Sequence, residues 1–130
     1  MDQAVILSTA RTPIGKAYRG AFNDTDAPTL ASFSIKASIE KADLDPSEIE
    51  DVILGAAVQQ GSQGYNIGRL SAVSSGLPVH VPGMSVDRQC ASGLMAIAIA
   101  IRPEAHCRST LIPGTWTGKS EDIAANLPML

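Results

Sequence analysis

A chain of 130 residues, 45% apolar and 18% charged with 11 Gly and 8 Pro, suits one domain with a core of its own. That composition excludes a disordered tail, a collagen-like fibre and a disulfide scaffold. Thirteen acids against ten bases leave a net charge of −3 with no Lys/Arg cluster, which argues against a nucleic-acid surface. The longest apolar run, Leu94 to Ile101, is too short to cross a bilayer, so no membrane partner is expected. Met1-Asp2-Gln3 is acidic, and only Ala4 to Leu7 separate it from Ser8, so no secretory signal is expected. The two cysteines then read as free thiols, and the expected compartment is a reducing cytoplasm.

Ala4-Val5-Ile6-Leu7 is continuously apolar, which predicts a strand covered on both faces, as in a parallel sheet. Arg11 to Pro28 is rich in turn formers and long for a structureless loop, a kind that is usually functional or mobile. Thr29 to Ala42 predicts a helix with two apolar stripes, one of Leu30, Phe33 and Ala37, the other of Ala31, Ile35, Ile39 and Ala42. Such a helix wants partners on both sides. Asp45-Pro46-Ser47-Glu48 combines a capping acid, a first-turn proline and a glutamate three residues on, the start signature of a short helical turn.

Val52 to Val58 is a second buried-strand candidate. After a flexible loop from Gln60, Asn66 can cap a helix over Ile67 to Ser75, closed by Gly76 with Pro78 beyond. Met84 to Val86 is a short third strand. Ala91 to Ile101 is almost wholly apolar, and its alternating Ala/Ile part fits strand or helix. Ala, Leu and Met near its start favour a helix. The order β, α, β, α, β, α is the pattern of a layered α/β fold. From Arg102 to Leu130 no period persists, and Pro103 forbids simple continuation of the helix.

Cys90 follows a short strand and precedes an apolar helix, so its sulfur belongs at a helix N-terminus, where unpaired N–H groups and the dipole favour a thiolate. Ala91, Ser92 and Gly93 are small enough to let a carbonyl approach the backbone, whose N–H groups could stabilise an oxyanion. Position alone leaves a plain buried cysteine equally open.

Val86-Asp87-Arg88-Gln89-Cys90-Ala91-Ser92-Gly93-Leu94 resembles the nucleophile segment of the thiolases, acyltransferases that act on coenzyme A thioesters. Ala10 to Gly15, Asp51 to Gly55, Gln60-Gly61 through Asn66, Arg69 and Gly76-Leu77-Pro78 are similar to further motifs of that family, in the correct order. The resemblance covers residues 4 to 101, so residues 1–101 are read as the N-terminal part of a thiolase N-terminal domain. Asp87 departs from it, since many members carry asparagine there. The resemblance implies a partial thiolase-like layered α/β fold, its sheet flanked by helices and the Cys90 helix central. It also implies that Cys90 is the acyl-accepting nucleophile of 3-ketoacyl-CoA thiolysis or of acetyl-CoA condensation. Coenzyme A thioesters would be substrates, with no separate cofactor and no metal. The thioester divides one hard carbon–carbon step into two acyl transfers. The family is homo-oligomeric, and assembly of this chain is left open.

The family's activating His and second Cys lie in motifs that do not occur in this sequence, so turnover by this chain alone is not expected. His106-Cys107 has neighbours that match nothing in the family and is read as incidental. Residues 102–130 are expected to be foreign to the family, through a frameshift, a damaged gene or alternative splicing. Two other functions are carried beside acyl transfer: a truncated interaction module that binds a full-length thiolase, and a redox-sensing thiol protein. Gly114 to Ser120 is one residue short of a phosphate loop. His80, Cys90, His106 and Cys107 lack paired metal-ligand spacing, and Arg88 serves an ion pair as readily as a phosphate. There is no G-x-S-x-G elbow.

Overall fold

A computed structural model of the chain describes residues 4–16, 18–101 and 110–111. The first helix, α1, runs Ala27–Ala42 with Pro at its start, where its missing N–H is no loss. It ends at Asp43, whose left-handed backbone returns its N–H to the carbonyls of Ile39 and Glu40. The two stripes differ in burial, although Leu30, Ala37 and Ala42 are all half-buried. Ala31, Ile35 and Ile39 are buried, whereas Phe33 is 60% exposed. The Asp45 signature is realised as a 3-10 turn, Pro46–Glu48, with both halves of the capping box in place.

The first strand, β1, spans Asp51–Gly55, and Val52 to Gly55 are all buried. Continuous apolarity is the mark of a strand covered on both faces. Helix α2 follows over Ile67–Ser74 and strand β2 over Gly83–Val86. After a 3-10 turn at Gln89–Ala91, helix α3 spans Ser92–Ala100, and β3 is Thr110–Leu111. The Ala/Ile stretch is therefore a helix. The sheet is parallel in the order β2-β1-β3, with Val52 opposite Gly83 and Asp51 opposite Thr110.

Alternate residues of β1 serve opposite faces. Val52 joins Ile35, Ile39, Ile49, Ala72, Leu77 and Val81 in one cluster, and Leu54 packs with Ala27, Ala31, Ala56 and Ile67. Ile53, from the other face, packs with Val86 and with Ala96 of α3. Helices α1 and α2 thus cover one side of the sheet and α3 the other.

One expectation fails. Residues 4–7 form no strand, and Val5, Ile6 and Leu7 are 72%, 77% and 66% exposed. Both edges of β1 are already paired, by β2 and β3. The segment instead lies along α1: Ser8 Oγ donates to the Ser38 carbonyl (2.7 Å) and Lys41 Nζ to the Thr9 carbonyl (3.1 Å). The loop that follows is held partly by turn bonds from Asn23 N–H to Gly20 O and from Thr25 N–H to Phe22 O. Of residues 102–130, only Thr110 and Leu111 are described; His106-Cys107 and Gly114 to Ser120 lie outside the described residues.

Candidate active site at the β2–α3 elbow

Strand β2 is set by α2 before it reaches the elbow. Asn66, with a left-handed backbone, caps α2 by accepting from the Arg69 N–H (3.4 Å). Asn66 is also tied to β2 by two bonds, its Nδ2 donating to the Gly83 carbonyl and its Oδ1 accepting from Ser85 Oγ, and the Gly68 N–H donates to the same Ser85 Oγ, each 2.9 Å. Glycines make the crossing possible. A Cβ on Gly68 would lie 2.1 Å from the Met84 carbonyl oxygen, and one on Gly83 2.7 Å from the Arg69 Cα. The Arg69 guanidinium donates to the carbonyls of Val79 (3.0 Å) and Val81, fastening the connector that delivers β2.

Past Val86 the chain leaves the sheet and reverses. Asp87 accepts the Gln89 N–H on one carboxylate oxygen (2.9 Å) and the Val58 N–H on the other (3.1 Å). Gln89 and Val58 both have positive φ, 51° and 55°. Ser92, 3% exposed, closes the turn from inside: its Oγ accepts from the Arg88 N–H (2.9 Å) and donates to the Gln89 carbonyl (2.8 Å). Cys90 sits in the middle of this turn as an exposed free thiol. It lies two residues ahead of α3, whose first-turn N–H groups have no partner within the helix.

The foot of α3 rests directly on β1. A Cβ on Gly55 would lie 2.5 Å from the Gly93 nitrogen, so only glycine lets the helix start so close to the strand. The placement of Cys90 ahead of the helix agrees with the sequence reading, but its thiol is open to solvent rather than buried. Asp87, Arg88 and Gln89 beside it are exposed too. Sequence reasoning gave Ser92 only a small residue's part beside Cys90, not the closing of the turn, and gave no part in the site to Gly55 or Val58. The glycine-glycine contact could have been suspected from Gly55 and Gly93 alone; the Val58 tie could not.

His80 is exposed on the connector, and no group of three or more His, Cys, Asp or Glu side chains among the described residues is arranged to hold a metal. Two hollows lie elsewhere. One is walled by Ile6 to Thr9 and Lys41, the other by Arg11, Pro13, Phe22, Leu30 and Phe33. Neither is lined by Cys90.

A parallel sheet with helices on both faces and a cysteine at a tight strand-to-helix turn define a layered α/β protein. Residues 4–106 match the family model described as Thiolase, N-terminal domain, a match that runs past Ile101. The chain is 43% identical over 97 residues to a peroxisomal 3-ketoacyl-CoA thiolase of Arabidopsis thaliana, covering 75% of this chain and 21% of that protein. It is 40% identical over 100 residues to an acetyl-CoA acetyltransferase of Cupriavidus necator, covering 77% and 25%. A thiolase of Ascaris suum solved in complex with coenzyme A superposes with a TM-score of 0.68 at 30% identity, over 74% of this chain and 25% of that one. The chain belongs to the thiolase family and carries part of its N-terminal domain. It spans about a quarter of the length of the relatives it matches.

Proposed function

We propose that this chain carries the nucleophile-bearing segment of a thiolase-type acyl-CoA acyltransferase, with Cys90 as acyl acceptor. The single observation that supports this most is an exposed thiol on a turn fixed by Asp87 and Ser92 immediately ahead of a packed helix. The Cys90 sulfur attacks the thioester carbonyl; a new sulfur–acyl bond forms, the acyl–CoA bond breaks, and CoA leaves with the proton given up by the thiol. In the synthetic direction that acyl group then passes to the carbanion of a second acetyl-CoA. In the degradative direction the sulfur instead attacks the 3-keto carbonyl of a 3-ketoacyl-CoA; the adjacent carbon–carbon bond breaks, acetyl-CoA leaves with the thiol's proton on its methyl carbon, and the shortened acyl group passes to free CoA, whose thiol proton returns to the Cys90 sulfur. The names of the relatives, a 3-ketoacyl-CoA thiolase and an acetyl-CoA acetyltransferase, support both directions.

Coenzyme A thioesters are the proposed substrates, with no further cofactor and no metal, and coenzyme A in the Ascaris suum structure supports that choice. Homo-oligomeric assembly follows the family. No helix among the described residues is long and apolar enough to cross a membrane. A cytoplasmic location is proposed, although the plant relatives are named peroxisomal.

The test is incubation with acetyl-labelled CoA, followed by peptide mass analysis. Label is expected on the Cys90 peptide and not in Cys90→Ser, with turnover only when the remaining portion of a thiolase is supplied in trans. An unlabelled Cys90 under both conditions would sink the reading. The rival, an interaction module, is favoured by the apolar side chains that α3 turns outward. It predicts co-purification with a full-length thiolase that Cys90→Ser does not disturb.

A further inference from the structure

Two non-glycine residues near Cys90 have left-handed backbones, and both send their N–H to the same side chain. Val58 is β-branched, the kind of residue for which positive φ is a genuine outlier. Such conformations persist only where surrounding structure over-determines them. The Val58 N–H reaches one oxygen of Asp87 and the Gln89 N–H reaches the other. Val58 follows β1, whereas Gln89 opens the turn that presents Cys90.

We propose that Asp87 is a positioning residue that holds Cys90 by clamping two strained backbone segments, those at Val58 and Gln89, with its two carboxylate oxygens. The proposal rests on Cys90 as the reacting thiol. A carboxylate is the fitting group because both its oxygens only accept. An amide of the same shape has one acceptor oxygen, and its NH₂ would meet the second N–H donor to donor. Asp87→Asn therefore keeps one tether and forfeits the other. Glycine occupies positive φ without strain, so a glycine at position 58 makes the Val58 tether dispensable while leaving the Gln89 tether needed.

The experiment measures the rate at which iodoacetamide alkylates Cys90 in the 130-residue chain, read from the Cys90 peptide by mass. Asp87→Asn is expected to slow it about threefold or more, and Val58→Gly in that background to recover most of the loss, the coupling expected of groups in one network. Val58→Gly is expected not to rescue Asp87→Ala, which has no oxygen left for Gln89. An Asp87→Asn protein that alkylates at or above the parent rate, or a rescue of Asp87→Ala equal to that of Asp87→Asn, overturns the clamp.

The unsubstituted chain supplies a second measurement that no folding failure can confound. The backbone amides of Val58 and Gln89, both donated to Asp87, are expected to exchange with solvent about tenfold or more slowly than in an unstructured peptide. Exchange of either amide at the unstructured rate overturns the proposal. Because alkylation needs no CoA, failure of the clamp is distinguishable from failure of the acyl-transfer reading, which acetyl labelling alone decides.

Discussion

A single methyl group suffices to test the crossing of α2 over β2. On Gly68 it would meet main-chain atoms of Met84, which cannot swing aside as a long side chain can. Gly68→Ala is predicted to destabilise the chain by about 1–3 kcal/mol, the usual effect of overpacking. Gly76 offers a contrast, with open space around it but φ of 75°. Gly76→Ala is predicted to cost about 1–2 kcal/mol for backbone strain alone. Urea midpoints measure both. A Gly68→Ala chain as stable as its parent would mean that the helix does not ride on the strand as described. At this scale the sequence exposed the cysteine but not its supports. Cys90 could be placed because its strand and helix adjoin it in the chain. Val58 bonds to a side chain far along the sequence, and no local pattern announces that.

At the scale of elements, the capping box before β1 shows what local signals can and cannot do. Asp45, proline, serine and Glu48 specify a turn whose partners all lie within three residues, and the turn is there. Its carboxyl is held below the ordinary range, first by the Ser47 hydroxyl and then by the Ser47 N–H. An unfolded chain lacks those donors, so the folded state binds the proton less readily. The contribution is therefore present above the unfolded value and lost as pH falls through the folded one. Thermal unfolding followed from neutral pH into acid is predicted to show a shallower decline for Asp45→Asn than for the parent. Identical slopes would remove the carboxylate from the pH response. Residues 4–7 and 52–54 show the opposite limit. Both runs are continuously apolar, yet only the second has strands on either side. Apolarity marks a segment able to become a buried strand, and whether a free edge awaits it is decided by distant chain.

For the whole molecule, the covering layers are unequal. Side chains of α1 and α2 close one face of the sheet, but among the described residues α3 on the other face is itself covered on one side only. Leu94 and Ile101 are 73% and 56% exposed, and Ala98 between them shares their side. The two-sided apolarity of this helix was legible in the sequence, since its stretch has almost no polar residue to turn outward. An apolar stripe left in water tends to associate. Sedimentation velocity is predicted to show concentration-dependent self-association that Leu94→Lys diminishes. Because Leu94 is mostly exposed, that substitution should alter stability by no more than about 0.5 kcal/mol. Unchanged association would mean that the stripe is not what brings copies together.

The order of the sheet also bears on how the chain comes into being. Its middle strand is the first of the three to be synthesised, and both flanking strands are made later. A nascent chain therefore leaves the ribosome with its most apolar ribbon unpaired, at about 5–20 residues per second, until residue 86 emerges to sit beside it. During that interval the ribbon is available to chaperones, and to neighbouring nascent chains on the same messenger.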